Sequence, residues 1–225
     1  MPSSRAAIRI SIALAGLLLG PPIVAAEEQV QVGRGVGFLN VPSGANVGAV
    51  LVSGSGGMSP NDLLMRSRHL FERQGVATLM IANDNSPLRA VELLRQYVPR
   101  VSLVAMSAGT LSAARAVANG ARPNSLVLIS GFLTPTEVSG SVSSIVGRPG
   151  TLPPTLVIHN RQEECERTPA SGVAPFIAWS RGRAQGMWVA SGSMGRNPCG
   201  PLNFHGFPGS EDAVMQAAGQ FVSRY

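Results

Sequence analysis

Ser107 lies in the string Ala105-Met106-Ser107-Ala108-Gly109, directly after the apolar run Val101 to Met106 and directly before an alanine-rich run. Small residues two places before and two places after a serine suit a sharp strand-to-helix turn, which lifts the hydroxyl clear of its own backbone. A serine held that way can act as a nucleophile if a base lies within reach of its proton. The same string equally suits a serine that only caps the N-terminus of an ordinary helix. Glycine is usual at the first small position, where Ala105 stands; Gly109 keeps the second.

Three other segments carry groups that such a nucleophile needs. Ser53-Gly54-Ser55-Gly56-Gly57 comes earlier in the chain. Its backbone N–H at Ser55, paired with that of Ala108, could hold a developing oxyanion. The loop has neither the Lys-Ser/Thr of a phosphate-binding P-loop nor the GxGxxG of a dinucleotide site. The stretch from His159 to Pro169 contains Glu163, Glu164 and Glu166. Glu163, with Glu164 as second choice, can orient and charge-balance a catalytic histidine; without a partner, three glutamates in four positions read as a solvated turn. His205 stands in Phe204-His205-Gly206-Phe207, in a loop near the C-terminus, and is the candidate base. His159, at a strand end, reads as structural, and His69 as an exposed helix residue. No spacing of His and Cys resembles a metal site, so neither a metal nor a cofactor is expected.

The elements that must position these residues follow from apolar periodicity. Strands are expected at Gly48–Ser53, Val76–Ala82, Val101–Met106, Leu126–Ser130, Thr155–His159 and Met187–Ala190. Helices are expected at Pro60–Gln74, Ser86–Val98, Ala108–Asn119, Val173–Arg181 and Glu211–Arg224. The Gly/Ser/Pro-rich stretch from Gly131 to Pro154 reads as a loop or small cap. Strands alternating with helices imply an α/β fold, a mostly parallel central sheet covered on both faces. Chemistry in such sheets gathers beyond the carboxyl ends of the strands, where Ser107, Glu163 and His205 all fall.

Residues 1–26 read as a secretory signal peptide that is removed, leaving 27–225 as a single domain. Arg5 and Arg9 precede the apolar run Ile10 to Leu19, Pro21-Pro22 breaks it, and Val24-Ala25-Ala26 supplies small residues for cleavage. Ten apolar residues span about 15 Å as a helix, half of what a membrane requires, so no stable membrane insertion is expected after cleavage. The destination is the periplasm or the medium. The whole chain carries a formal charge of +6 with arginine and no lysine. Without the leader, sixteen arginines face twelve acids, and the remaining +4 is dispersed. No basic run interleaved with aromatics is present, which argues against nucleic acid as a partner. Two cysteines, Cys165 and Cys199, in an exported chain favour a disulfide.

The order Ser107, Glu163, His205, with oxyanion donors ahead of the serine, resembles the α/β-hydrolase superfamily. The likeness runs from about Gly48 to the C-terminus. It is carried by the elbow AMSAG, the SGSGG loop where many members have HGxGG, the acid loop, and the HGF histidine loop. Departures are Ala105 for Gly, Ser53 for His, and Glu for the commoner Asp. The resemblance implies an eight-stranded type of sheet, here trimmed at its N-terminal edge, with minimal or no cap. It also implies acyl transfer to water. Few aromatics (5%) and a short cap at most suggest a modest, open pocket and so a small or medium carboxylic ester ahead of a thioester or amide, with residues Thr134 to Pro154 deciding the substrate. A Cys165–Cys199 bond would fasten the acid loop to the histidine loop. Closing a loop of that length contributes roughly 3–4 kcal/mol in the chain-entropy model. The rival reading is a catalytically inactive binding module on the same fold, since fold does not dictate function; a transferase using the same acyl-enzyme is a third.

Overall fold

The structure is a computed structural model and describes residues 27–137 and 139–225. The expected signal peptide, 1–26, lies outside the described residues. In chain order the elements are β1 (Glu28–Val32), β2 (Gly35–Asn40), β3 (Val47–Val52), α1 (Leu63–Ser67), α2 (His69–Glu72), β4 (Ala77–Ile81), α3 (Pro87–Leu94), β5 (Arg100–Met106), α4 (Gly109–Ala118) and β6 (Leu126–Ile129). Then follow α5 (Val142–Val146), β7 (Thr155–Asn160), α6 (Val173–Trp179), β8 (Ala184–Val189) and α7 (Glu211–Arg224).

The eight strands form one sheet in the order β1-β2-β4-β3-β5-β6-β7-β8. β3 to β8 run parallel, while β2 lies antiparallel to both β1 and β4. Strands β3, β4, β6 and β7 are buried along their whole length, as expected of strands covered on both faces. Side chains alternate between two cores. Val50, Val52, Leu103 and Ala105 face the side covered by α3, α4, α5 and α6, whereas Ala49, Leu51, Val104 and Met106 face the side covered by α1, α2 and α7.

The sheet is not trimmed at its N-terminal edge. The β1–β2 hairpin, turned at Gly33 (φ 58°) and Arg34, completes it. β1 is a mostly exposed edge strand of sequence EQVQV, so it lacks the apolar run that marks the central strands. β8 likewise starts at Ala184, ahead of the expected Met187. Its first residues, Ala184, Gln185 and Gly186, pair with Thr155, Leu156 and Val157 on the open edge of the sheet, where apolar character is not required.

The helix expected over Pro60–Gln74 is two short helices. Arg68 turns its guanidinium back onto the carbonyl of Met65, and Phe71 N–H bonds the carbonyl of Arg68 in a tight turn, so the regular ladder is interrupted there. The Gly131–Pro154 stretch contains α5, opened by a reciprocal Ser141/Ser144 capping box. α5 packs on α4, and Val142, Val146 and Leu152 enter the core.

Candidate active site

The turn between β5 and α4 holds Ser107 at φ 49°, a left-handed conformation that costs a non-glycine residue about 1–2 kcal/mol. Surrounding bonds impose it. Ser107 N–H donates to the carbonyl of Ile129 on β6 (3.0 Å), and its own carbonyl accepts from Thr110 N–H (3.0 Å) and Thr110 Oγ1 (2.6 Å). The two small positions of the motif prove unequal. A Cβ at Gly109 would lie 2.4 Å from the carbonyl oxygen of Ser53 and 2.5 Å from that of Val52, so only glycine fits against the end of β3. Ala105 points its methyl into the α3/α4 core and is accommodated there.

His205 sits in a single 3-10 turn, Phe204–Gly206, fixed by three long-range bonds to three successive carbonyls. Asn160 Nδ2 donates to the carbonyl of Phe204 (3.0 Å), Ser130 Oγ to that of His205 (2.9 Å), and Arg66 Nη2 to that of Gly206 (2.8 Å). Gly206 has no room for a side chain, since a Cβ would fall 1.9 Å from the carbonyl oxygen of Pro201. The ring then meets the loop after β7. His205 Nδ1 lies 3.0 Å from Glu163 Oε2 and 3.2 Å from Thr168 Oγ1. The Glu163 side chain is wholly buried and that of His205 is 3% exposed. Cys165 N–H donates to the other carboxylate oxygen, Glu163 Oε1 (3.0 Å). A carboxylate against Nδ1 places the ring proton there and leaves the lone pair on Nε2. That buried Nε2 has no partner among the described residues. Glu164 is exposed and does not reach the ring.

Cys165 and Cys199 form a disulfide, which joins the Glu163 loop to the segment leading into His205. Ser107, His205, the Gly54–Gly56 loop, Asp62, Cys199 and Pro201 line a cavity of about 90 Å³. None of the described residues between 134 and 154 lines it, and α5 from that stretch packs on α4 instead. A larger groove of about 840 Å³ runs past the β1–β2 turn, the β4–α3 loop and α4, and includes neither Ser107 nor His205. Among the described residues, nothing accepts from the N–H groups of Ser55 or Ala108, whereas Gly54 N–H is taken by Asp62 Oδ2 (2.9 Å). No described group of three or more His, Cys, Asp or Glu is placed to hold a metal. No described helix is long and apolar enough to cross a membrane.

His159 is buried at the end of β7, its Nε2 3.0 Å from the carbonyl oxygen of Thr168. It thereby supports the residue whose hydroxyl shares His205 Nδ1. Burial lowers its pKa from the usual 6.5, against the opposing pull of Glu163 and of the Thr168 carbonyl. The unfolded chain takes up this proton near pH 6.5 and the folded chain only at lower pH. Stability due to neutral His159 is therefore complete above about pH 6.5 and is lost as pH falls below it. We expect His159→Gln to flatten that part of the pH dependence in urea unfolding; an unchanged slope would assign it to other groups.

Ser130, Asn160, Thr168, Arg66 and Asp62 carry no motif and were not marked by the sequence. Only Asp62 left a local signal, an acidic residue directly ahead of Leu63-Leu64, which reads as a helix cap. His69 is exposed on α2.

No protein-family model matches the chain. No curated protein matches it either. Solved structures do. A dienelactone hydrolase from Anabaena variabilis superposes with a TM-score of 0.60 at 19% identity, covering 89% of this chain and 97% of its own. The esterase domain of a Rhodothermus marinus protein gives a TM-score of 0.65 at 15% identity, covering 89% and 98%. Est1E from Butyrivibrio proteoclasticus gives 0.64 at 13%, with the same coverage. With its strand order, its antiparallel β2 and helices on both faces, the chain has the α/β-hydrolase fold.

Proposed function

We propose that this chain is an exported serine hydrolase that cleaves short-chain carboxylic esters through a Ser107–His205–Glu163 mechanism. One observation carries the reading: a buried histidine with Nδ1 on a buried carboxylate and an unpartnered Nε2 lines the same small cavity as a serine held at positive φ. In the reaction, Ser107 Oγ attacks the ester carbonyl carbon as His205 Nε2 takes its proton. Glu163 balances the imidazolium, and the N–H groups of Ser55 and Ala108 stabilise the oxyanion. His205 then returns the proton to the leaving alcohol oxygen, and water hydrolyses the acyl-enzyme by the same relay. The esterase and dienelactone hydrolase neighbours support hydrolysis as the class of reaction. Export rests on the 1–26 leader and is consistent with the disulfide.

The cavity supports a narrower choice of substrate. About 90 Å³ is far below the roughly 300–1,000 Å³ of pockets that take drug-sized ligands. We expect p-nitrophenyl acetate and butyrate to be cleaved, with kcat/KM at least about tenfold lower for the octanoate, because a cavity this small offers little surface to bury the added methylenes. The test is a chain-length series together with labelling by a fluorophosphonate. A folded protein that cleaves no ester and never labels would overturn the reading and leave an inactive binding module on this fold.

A further inference from the structure

We propose that Asp62 is a positioning residue for the oxyanion-binding turn of the hydrolase proposed above, a role that rests on that reading. Its two oxygens serve two different elements. Oδ1 caps α1, accepting from Leu64 N–H (2.9 Å) and Met65 N–H (3.2 Å). Oδ2 points the other way and accepts from Gly54 N–H (2.9 Å), eight residues back in the chain. That bond occupies the Gly54 N–H and pins the residue before Ser55, whose own N–H has no acceptor among the described residues. Gly54 is held between the carboxylate and the nucleophile: a Cβ there would lie 3.4 Å from Asp62 Oδ2 and 3.4 Å from Ser107 Cβ. Asp62 itself lines the cavity.

Capping alone does not require this residue type. Asn and Ser cap helices as well as Asp does. Holding both the cap and the Gly54 N–H requires two acceptor-only oxygens, which a carboxylate has and an amide or a hydroxyl lacks. The arrangement also has a cost. Burial raises the pKa of Asp62 from the ordinary 3.8, and the N–H groups of Gly54, Met65 and Leu64, with the charge of Arg66, offset it only in part. A folded-state pKa above the unfolded one means that stability falls as pH rises through that window, so the ionised carboxylate is a net cost at neutral pH. A destabilising charge at the rim of a reactive cavity is the pattern expected where stability is traded for function.

The test uses Asp62→Asn and Asp62→Ser in the full chain, both of which keep a cap for α1. We expect melting temperatures within about 5 °C of wild type, since removing a buried charge and leaving the Gly54 N–H without its acceptor act in opposite directions. For p-nitrophenyl acetate, kcat falls by about 10- to 100-fold, with KM changed less than about threefold, as loss of an aligned oxyanion donor requires. Amide exchange rises over residues 53–57 and stays unchanged over 63–67. Wild-type kcat in folded variants overturns the proposal. So does a loss of kcat matched by a lower melting temperature and faster exchange over 63–67, which makes Asp62 structural only. An inactive wild type overturns the hydrolase reading and the positioning role with it, and exchange over 53–57 then judges the Gly54 clamp by itself.

Discussion

Replacing Ser107 by alanine is expected to lower kcat by about 10⁵-fold or more and to abolish covalent labelling by a fluorophosphonate. Removing the nucleophile of a serine hydrolase removes the acyl-enzyme path, leaving only what the oxyanion donors and substrate binding contribute. The change should leave the fold intact. The bonds that impose the positive φ at this position come from backbone atoms of Ser107 and from Thr110, and alanine keeps them. Serine and alanine bear comparable strain in that conformation, so a shift in stability beyond about 1 kcal/mol is not expected. Mass spectrometry of the labelled protein checks the site, and a melting curve checks the fold. A Ser107→Ala protein that still labels or turns over at the wild-type rate would place the nucleophile elsewhere.

The second large effect is expected at Glu163. Glu163→Gln should lower kcat by roughly 10³- to 10⁴-fold, whereas Glu164→Gln should stay within about twofold of wild type. The carboxylate of Glu163 lies 3.0 Å from His205 Nδ1 and is buried, so its charge is little screened by water. A glutamine there no longer balances the imidazolium. If its NH₂ turns to Nδ1, it moves the ring proton to Nε2, where it blocks the base. Thr168 Oγ1, at 3.2 Å from the same nitrogen, supplies a dipole but no charge. Glutamine retains one oxygen for Cys165 N–H, so the loop and its disulfide should hold. Steady-state kinetics on p-nitrophenyl acetate, with circular dichroism as the control for folding, distinguishes the two variants. Near-wild-type kcat in Glu163→Gln would remove Glu163 from the mechanism.

Much of the frame was legible because it follows from local patterns. Central strands such as β3 and β6 announce themselves as short apolar runs, and α7 runs from Glu211 to Arg224 as its periodicity predicts. Edge strands were harder. β1 buries little and pairs on one side only, so EQVQV has no apolar signature, and the sheet gained the hairpin that the sequence did not announce. The motif around Ser107 was half legible. Gly109 matters because two carbonyl oxygens from the end of β3 press on it, and Ala105 is harmless because its methyl enters a core; nothing in the string separates the two.

The sequence by itself determined the order of the six parallel strands β3 to β8 and of the longer helices between them, and with it a sheet whose loops carrying Ser107, Glu163 and His205 share one edge. Periodicity within ten or so residues is enough for that, because burial of one face or both is written into each segment. Only the tertiary structure decided which of two adjacent glutamates meets His205, 42 residues away, and what holds that histidine in place. Ser130 acts across 75 residues and Arg66 across 140, through hydrogen bonds that depend on distance and direction. Such bonds leave no trace in neighbouring residue types, since their partners become neighbours only when the sheet and its two helical layers have packed.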